Sequence, residues 1–588
     1  MVAKEYSRRI NTGMQLPAGM ADFAVLLQSP MTSTPIRSIF LVAVAASAVA
    51  CSRSHAPVPA AVTTADITAA DLRHRLFIIA HDSMMGRESG SEGDFKTAGY
   101  VASEFRRMGL EPAGENGTYF QTVPFWRVAV DPQSRIAVGD QQLAVNRDFL
   151  PLTLAAPTIT LSATPTIYGG SVADTAHLIA AADAAGKVVV VDIPVGANFR
   201  LLGTLNARWP GAVAIARIYL EQLGSETVAR LRDGRPVPDT TRNLRVIPTL
   251  ALTRRAATEI LGADPATLAP GSAGKLLTGR FDYARTPVPH PARNVVAILR
   301  GSDPTLRGQY LSLTAHNDHV GFDHSPVDHD SLRAYNRVVR PMGADSPQRA
   351  ASQEEWVRIR VILDSLRRLR PARLDSIRNG ADDDGSGTAS ILEIAEKLSR
   401  GARPKRSVLF VSHTGEEDGL LGSRWFTDHA TVPTDSIVAE IDQDMIGRGA
   451  PDDFPRGGGA IAATPTYMEV IGAKRLSREF GDTLEAANAR QGMPFVFDYT
   501  YDAPGHPLQY YCRADHYSYA RYGIPAVAFS RGEHLDYHQV TDEPQYIDYP
   551  DLARVANMVY TAALAIANMP ARPKLDAPKP PLNRPCVQ

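Results

Sequence analysis

Short, dense apolar runs punctuate the second half of the chain. Residues 294–299, 310–315, 407–412, 437–441 and 526–530 are apolar at most positions, as strands buried on both faces of a parallel sheet must be. Between and after them, 388–400 and 549–568 read as helices. This strand–helix alternation predicts an α/β fold with a doubly wound, mostly parallel sheet. Earlier in the chain, Leu72, Leu76, Ile79 and Met84 or Met85 recur at helical spacing, as do Val101, Phe105 and Met108. The G-R-E-S-G-S-E-G segment at 86–93 separates them as a loop. From 133 to 285 the texture changes. Short β-type runs at 187–193 and 245–252 alternate with Ala-rich stretches and Gly or Pro turns. We read this as a smaller inserted domain, α/β or β-rich, followed by a stiff Pro-rich re-entry linker at 286–291.

Length and composition agree with this division. A chain of 588 residues exceeds one simple domain, and its 44% apolar share supports sizeable cores. The larger unit is expected at 67–132 and 286–568, and the Pro-rich stretch 569–588 is expected to be disordered. Formal net charge is −1, without a strong basic run, which argues against a nucleic-acid partner. The N-terminal 1–50 region contains a secretory pattern that begins at Met31, a candidate true start: Arg37, the apolar run 39–50, then Ala48-Val49-Ala50-Cys51. The run is too short to span a bilayer. Small residues before Cys51 resemble a bacterial lipoprotein cleavage box, with 51–66 as a tether. The expectation is an exported protein, held at the cell envelope (periplasmic or outer-membrane lipoprotein) by lipid on Cys51, or secreted. Of three cysteines, Cys512 and Cys586 remain as one candidate disulfide.

Five polar segments carry the candidate chemistry: T-A-H-N-D-H with His316 and Asp318, G-A-D-D-D-G-S-G with Asp383, H-T-G-E-E-D-G with Glu416 and Glu417, D-Q-D-M-I-G with Asp442 and Asp444, and D-Y-H-Q-V-T-D with His538. His316, Glu416 and Asp444 each follow an apolar strand within a few residues, where open α/β sheets collect functional groups. The set is what two adjacent hydrolytic metal ions need. Asp383 is the candidate bridge, His316 and Asp444 would serve one ion, and Glu417 and His538 the other. An imidazole–carboxylate set without thiolate suits two zinc ions, and also manganese or cobalt. Asp318 would fix the His316 tautomer, and the spare Glu416 would take a proton from the attacking water. His319, His324 and His329 fit no ligand spacing and read as exposed surface histidines.

These segments, in this order, resemble the co-catalytic dizinc exopeptidases related to bacterial leucyl aminopeptidase and glutamate carboxypeptidase II (metallopeptidase family 28). The resemblance implies zinc ligation by His316, Asp383, Glu417, Asp444 and His538, with Glu416 as base. It favours Asp444 over Asp442, because Met445-Ile446-Gly447 follows Asp444. It implies an oxyanion-stabilising role for Tyr537, which precedes His538. The insert at 133–285 is similar to a protease-associated domain. The chain departs from the family between His316 and Asp383, where a long insertion at 322–378 carries a charged helical stretch from Glu354 to Arg370. With its ends pinned at the metal centre, this insertion is expected to leave its middle free to lie over the cleft.

The leading expectation is therefore an exported dizinc aminopeptidase acting on peptides. A related dizinc carboxypeptidase or deacylase uses the same residue order. A glutaminyl-cyclase-like transferase shares the fold with one metal. A non-catalytic binding relative would lack ligands or base, and none is missing here.

Overall fold

A computed structural model describes residues 63–153, 158–195, 205, 207–238, 247–347, 349–448, 466–506, 508–582 and 586–588. Cys51, the secretory pattern and most of the tether lie outside these residues. Of the tether, Thr63 is buried and donates a hydrogen bond of 2.6 Å to Glu396. Among the described residues, no helix is long and apolar enough to cross a membrane.

A nine-stranded sheet organises the larger unit. Its strands are β1 (Glu111–Pro112), β2 (Phe120–Val123), β3 (Ala292–Leu299), β4 (Tyr310–His316), β5 (Ser407–His413), β6 (Ile437–Gln443), β7 (Tyr467–Ile471), β8 (Val496–Asp498) and β9 (Ala526–Ser530). They run in the order β1-β3-β5-β4-β6-β9-β7-β8, with β2 also on β3. The inner strands β5, β4, β6 and β9 pair in parallel, whereas β3 meets β5, and β7 meets β9, antiparallel. The sheet is thus mixed rather than mostly parallel. The inner strands are buried at nearly every position, which is why they read as continuous apolar runs.

Helices cover both faces. They are α1 (Ala69–Ile79), α2 (Glu92–Arg107), α5 (Gly385–Arg400), α6 (Leu421–Asp428), α7 (Arg478–Ala489), α8 (His516–Ala520) and α9 (Tyr549–Ala567), while α3 (His329–Val339) and α4 (Gln353–Leu369) lie in the insertion. Leu72 and Leu76 of α1, Phe105 of α2, Ile391 of α5 and Val555 of α9 pack into one core with Leu313 and Phe410 of the sheet. Phe426 of α6 and Tyr519 of α8 close the opposite face over Val296 and Leu409.

Strands between Phe125 and Pro287 form separate sheets: a five-stranded sheet with a parallel centre, a four-stranded and a three-stranded antiparallel sheet. The last of these strands, Tyr283–Pro287, takes up the start of the expected linker. The insertion folds as an antiparallel ribbon, Phe322–Asp328 with Leu374–Ile377, and a helical pair, α3 and α4. Ser352 and Glu355 cap α4 reciprocally.

The C-terminal stretch 569–588 is not disordered where it is described. Cys586 forms a disulfide with Cys512, Gln588 is buried, and its side chain accepts from Tyr511 N and donates to Tyr501 O. Pro-rich composition prevents regular structure there, but side-chain anchors still fix the path.

Arg75 is the charged tie of the first core. It is fully buried on α1 and pairs with Glu104 of α2 and with Glu393 and Glu396 of α5. Removing one partner of such a buried cluster strands the others without solvent. Arg75→Ala is expected to lower unfolding free energy by about 3–5 kcal/mol, read by denaturant titration. An unchanged midpoint would mean that water replaces the guanidinium.

Candidate metal centre

The ligand-type side chains arrive from separate elements at one end of the parallel strands. His316 is the last residue of β4. Asp383 lies in the turn before α5, Glu416 and Glu417 follow β5, Asp444 follows β6, and His538 sits in the loop after β9. Parallel strands point their carboxyl ends the same way, so residues distant in sequence converge.

Asp383 joins two groups. His316, Asp383 and Asp444 form one, and His319, Asp383, Glu417 and His538 the other, with donor atoms in each group within 4.8 Å of one another. One Asp383 oxygen, Oδ1, lies 3.2 Å from His316 Nε2. The other, Oδ2, lies 3.0 Å from His538 Nε2. His316 Nε2 is 3.8 Å from Asp444 Oδ1. In the second group, Glu417 Oε2 is 2.8 Å from His538 Nε2 and Oε1 is 2.7 Å from His319 Nδ1. Each group offers imidazole nitrogen and carboxylate oxygen, the donor chemistry of zinc.

Glu416 belongs to neither group, although its Oε2 lies 4.0 Å from His316 Nε2. Burial pushes its carboxyl well above the usual range. Burial opposes charge on His538, but Glu417 and Asp383 prevail and raise it to about 10. Glu417 is held down at about 2: burial and Asp383 raise it, and the His538 and His319 imidazoles more than offset them. Three carboxylates beside three imidazoles in a buried site call for positive charge, which protonated His316 and His538 supply here and which bound cations would supply instead. His316 Nε2, both His319 nitrogens, Asp383 Oδ2 and Glu417 Oε1 are buried without a hydrogen-bond partner in the structure. These orphaned atoms, aimed at one another, fit metal ligation.

Asp318 is not in either group. Its oxygens accept from the backbone N–H groups of Glu416 and Glu417 and from Ser89 Oγ, while its carbonyl oxygen lies 3.2 Å from His316 Nδ1. It thus ties the β4 ligand to the β5 loop. Asp442 stays in β6 and accepts from Thr314 Oγ1 and His516 N. Tyr537 stacks on His538 with centroids 4.0 Å apart.

His319 and His329 are buried rather than exposed, and only His324 of the three sits at the surface. Sequence spacing gives no sign of His319, because no ligand pattern contains it. Its ring fits against Gly380, where an added Cβ would come within 2.5 Å of the imidazole. Asp384, next to Asp383, carries the helix-capping role: it accepts from Gly387 N and also from His316 N. Asp542 accepts from the N–H groups of Asp382 and Asp383.

The insertion is clamped rather than free. Arg333 of α3 pairs with Asp536, Asn336 donates to Leu535 O, and Ala344 N donates to Tyr537 O. It therefore braces the loop that carries His538.

Residues 294–563 match the profile of peptidase family M28. A probable zinc metalloprotease of Pyricularia oryzae is 29% identical over 222 residues, 32% of this chain and 43% of that protein. A probable aminopeptidase of Saccharomyces cerevisiae is 33% identical over 151 residues, 24% of this chain and 38% of that protein. The matches span under half the length of each of these relatives. Among solved structures, the aminopeptidase from Aneurinibacillus sp. strain AM-1 aligns over 88% of this chain and 98% of its own at 16% identity and a TM-score of 0.47.

Arg87, in the glycine-rich loop at 86–93, organises the ligand segments. It is fully buried and donates to the carbonyls of Ile79, Asn317, Asn379, Gly380 and Asp383. Only a planar, five-donor fork reaches so many acceptors at once. Arg87→Lys is expected to weaken metal binding roughly tenfold to a hundredfold, the usual effect of losing an outer-shell partner. Competition against a chelator measures this without an activity assay. Unchanged affinity would show that Arg87 supports only the fold.

Proposed function

We propose that this chain, which carries a peptidase family M28 domain at residues 294–563, is an exported dizinc aminopeptidase that removes N-terminal residues from peptides. The observation that carries the reading is the sharing of Asp383 between two imidazole–carboxylate groups, with Glu416 left over beside them. His316 and Asp444 would hold one zinc ion, Glu417 and His538 the other, and Asp383 both.

A bound zinc pair would polarise the scissile carbonyl and lower the pKa of the attacking water. Glu416 would take the proton of that water and deliver it to the leaving amine. Its side chain lies beside Glu417 and lines the cleft, where a proton could pass between the attacking water and the leaving group. Tyr537 lines the same cleft. Burial holds its hydroxyl protonated, so it would donate a hydrogen bond to the oxygen that gains charge in the transition state. Asp318 positions His316 and the Glu416 backbone together.

Export is supported by the Cys512–Cys586 disulfide, a bond that persists in oxidising compartments. The sheets between Phe125 and Pro287 are read as a protease-associated-like domain. They meet the catalytic part through an Arg127–Glu88 ion pair and through Phe125, which lies against Gly415 beside the Glu416 loop.

Glu416→Gln keeps size and hydrogen bonding but cannot take the proton. Its kcat on an aminoacyl amide is expected to fall roughly a hundredfold to ten-thousandfold, with KM and zinc content nearly unchanged. Glu417→Gln is expected to lose metal as well as rate. If Glu416→Gln kept its rate while Glu417→Gln kept its metal, the roles would be exchanged.

For the proposed lipid anchor, Cys51→Ser is expected to shift the protein from the membrane to the soluble fraction without altering peptidase kinetics. A mature N-terminus elsewhere, without lipid, would overturn the anchor.

A further inference from the structure

The cleft that contains Asp383, Glu416, Glu417, Asp444 and His538 is lined also by residues outside the metal-ligand groups. Its wall is made of small and apolar residues: Ala514, Ala528, Ser530 and Gly532, with Met445 and Ile471. Such a lining accommodates a long aliphatic stem. An apolar side chain would need nothing more, yet the same pocket contains two further carboxylates, Glu469 and Glu533.

Neither carboxylate belongs to the metal-ligand groups, and neither is an ordinary surface acid. Glu469 is 3% exposed and Glu533 is 9% exposed. Glu469 comes from β7, in antiparallel register with Ser530 of β9, so both line one face of the sheet at the pocket. Tyr467 donates a hydrogen bond of 2.9 Å to Glu469 Oε1, which fixes the carboxylate in place. Gly532 leaves the space it occupies, since an added Cβ would come within 2.8 Å of Glu469 Oε1. Glu533 Oε1 is buried and has no hydrogen-bond partner in the structure. Burial raises the Glu469 carboxyl to about 7, and burial, Glu469 and Asp345 raise Glu533. Arg513 also lines the pocket, where its charge favours the ionised form of Glu469 while its guanidinium donates to Asp345 at 2.9 Å. The pocket therefore combines an apolar wall with two buried carboxylates, more negative charge than the single Arg513 guanidinium, itself paired with Asp345, can balance.

We propose that this pocket receives the side chain of the substrate's first residue and selects lysine or arginine there, with Glu469 and Glu533 binding the cationic head. The proposal rests on the aminopeptidase reading. A lysine or arginine stem would lie along Met445 and Ile471 while its charge reaches the two carboxylates, the division of labour to which such amphipathic side chains are suited. A first residue of leucine would fill the stem region and leave both acids unpaired. An acidic first residue would add a third negative charge.

The test uses zinc-loaded enzyme and a series of fluorogenic aminoacyl amides that differ only in the amino acid: Lys, Arg, Leu, Ala and Glu. The expected order of kcat/KM places Lys and Arg first. In Glu469→Gln/Glu533→Gln, the Lys-to-Leu ratio of kcat/KM is expected to fall roughly tenfold or more, because a site built for a polar group discriminates strongly only while that group finds its partner. A wild-type preference for Leu, or a ratio unchanged in a folded, zinc-replete double variant, would overturn the proposal. Should the variant not fold, the wild-type enzyme decides through competitive inhibition, with lysinamide expected to inhibit more tightly than norleucinamide and equal inhibition counting against the pocket. Hydrolysis of none of the aminoacyl amides would instead overturn the aminopeptidase reading. In that case calorimetric binding of lysinamide over norleucinamide would still support the acidic pocket, and equal binding would reject it.

Discussion

Everything at the candidate centre depends on holding one buried carboxylate, Asp383, with an oxygen toward each of two imidazoles. A side chain so placed has no solvent to relax into, so its backbone must be fixed from several directions. Arg87 grips the carbonyl of Asp383 from one side, and Asp542 accepts its N–H from another. Asp384 then starts α5 and accepts the N–H of His316. The turn is consequently rigid before any ligand is considered. A loose turn would let the two imidazole groups drift apart and lose the shared oxygen pair.

The same logic extends outward to the insertion. Asp536 lies two residues before His538 and is gripped by Arg333 of α3 and by Arg448. These two guanidinium groups hold the Asp536 carboxyl below its usual range against the burial that would raise it. The chain thus gains a brace for its last ligand from a segment that interrupts the path between the first two.

The legible part of this arrangement was the part that burial on both faces makes conspicuous. Strands β4, β5 and β6 read as apolar runs because each is covered by helices on either side, and polar groups just past their ends stand out. The other site residues lack that contrast in the sequence. Strand β7, between β9 and β8, contains Glu469 within a short apolar stretch, so its pattern marks neither a strand nor a site. Arg87 sits among glycines and charged residues, where loops ordinarily carry solvated arginines. His319 follows the H-x-D pair by one residue, and only the three-dimensional turn at Gly380 brings it beside Glu417. The tail after 569 has the composition of a flexible segment, but Cys586 and Gln588 each find a partner.

The change of strand direction within the sheet separates two tasks. Parallel strands β4, β5 and β6 all end at the same edge, and their ends supply ligands that must converge on a point. Strand β7 runs the opposite way beside β9, so it brings the middle of its length, not its end, to that edge. A residue there is anchored by cross-strand pairing on β9 and by Tyr467, independently of Asp383 and its supports. Glu469 therefore shares the cleft with the ligand cage but rests on different backbone, whereas Met445 and Glu533 sit on the segments that carry Asp444 and His538. A substitution at Glu469 meets the strand ladder rather than the Arg87 and Asp542 network, which lets the choice of first residue change while the reacting groups stay where they are.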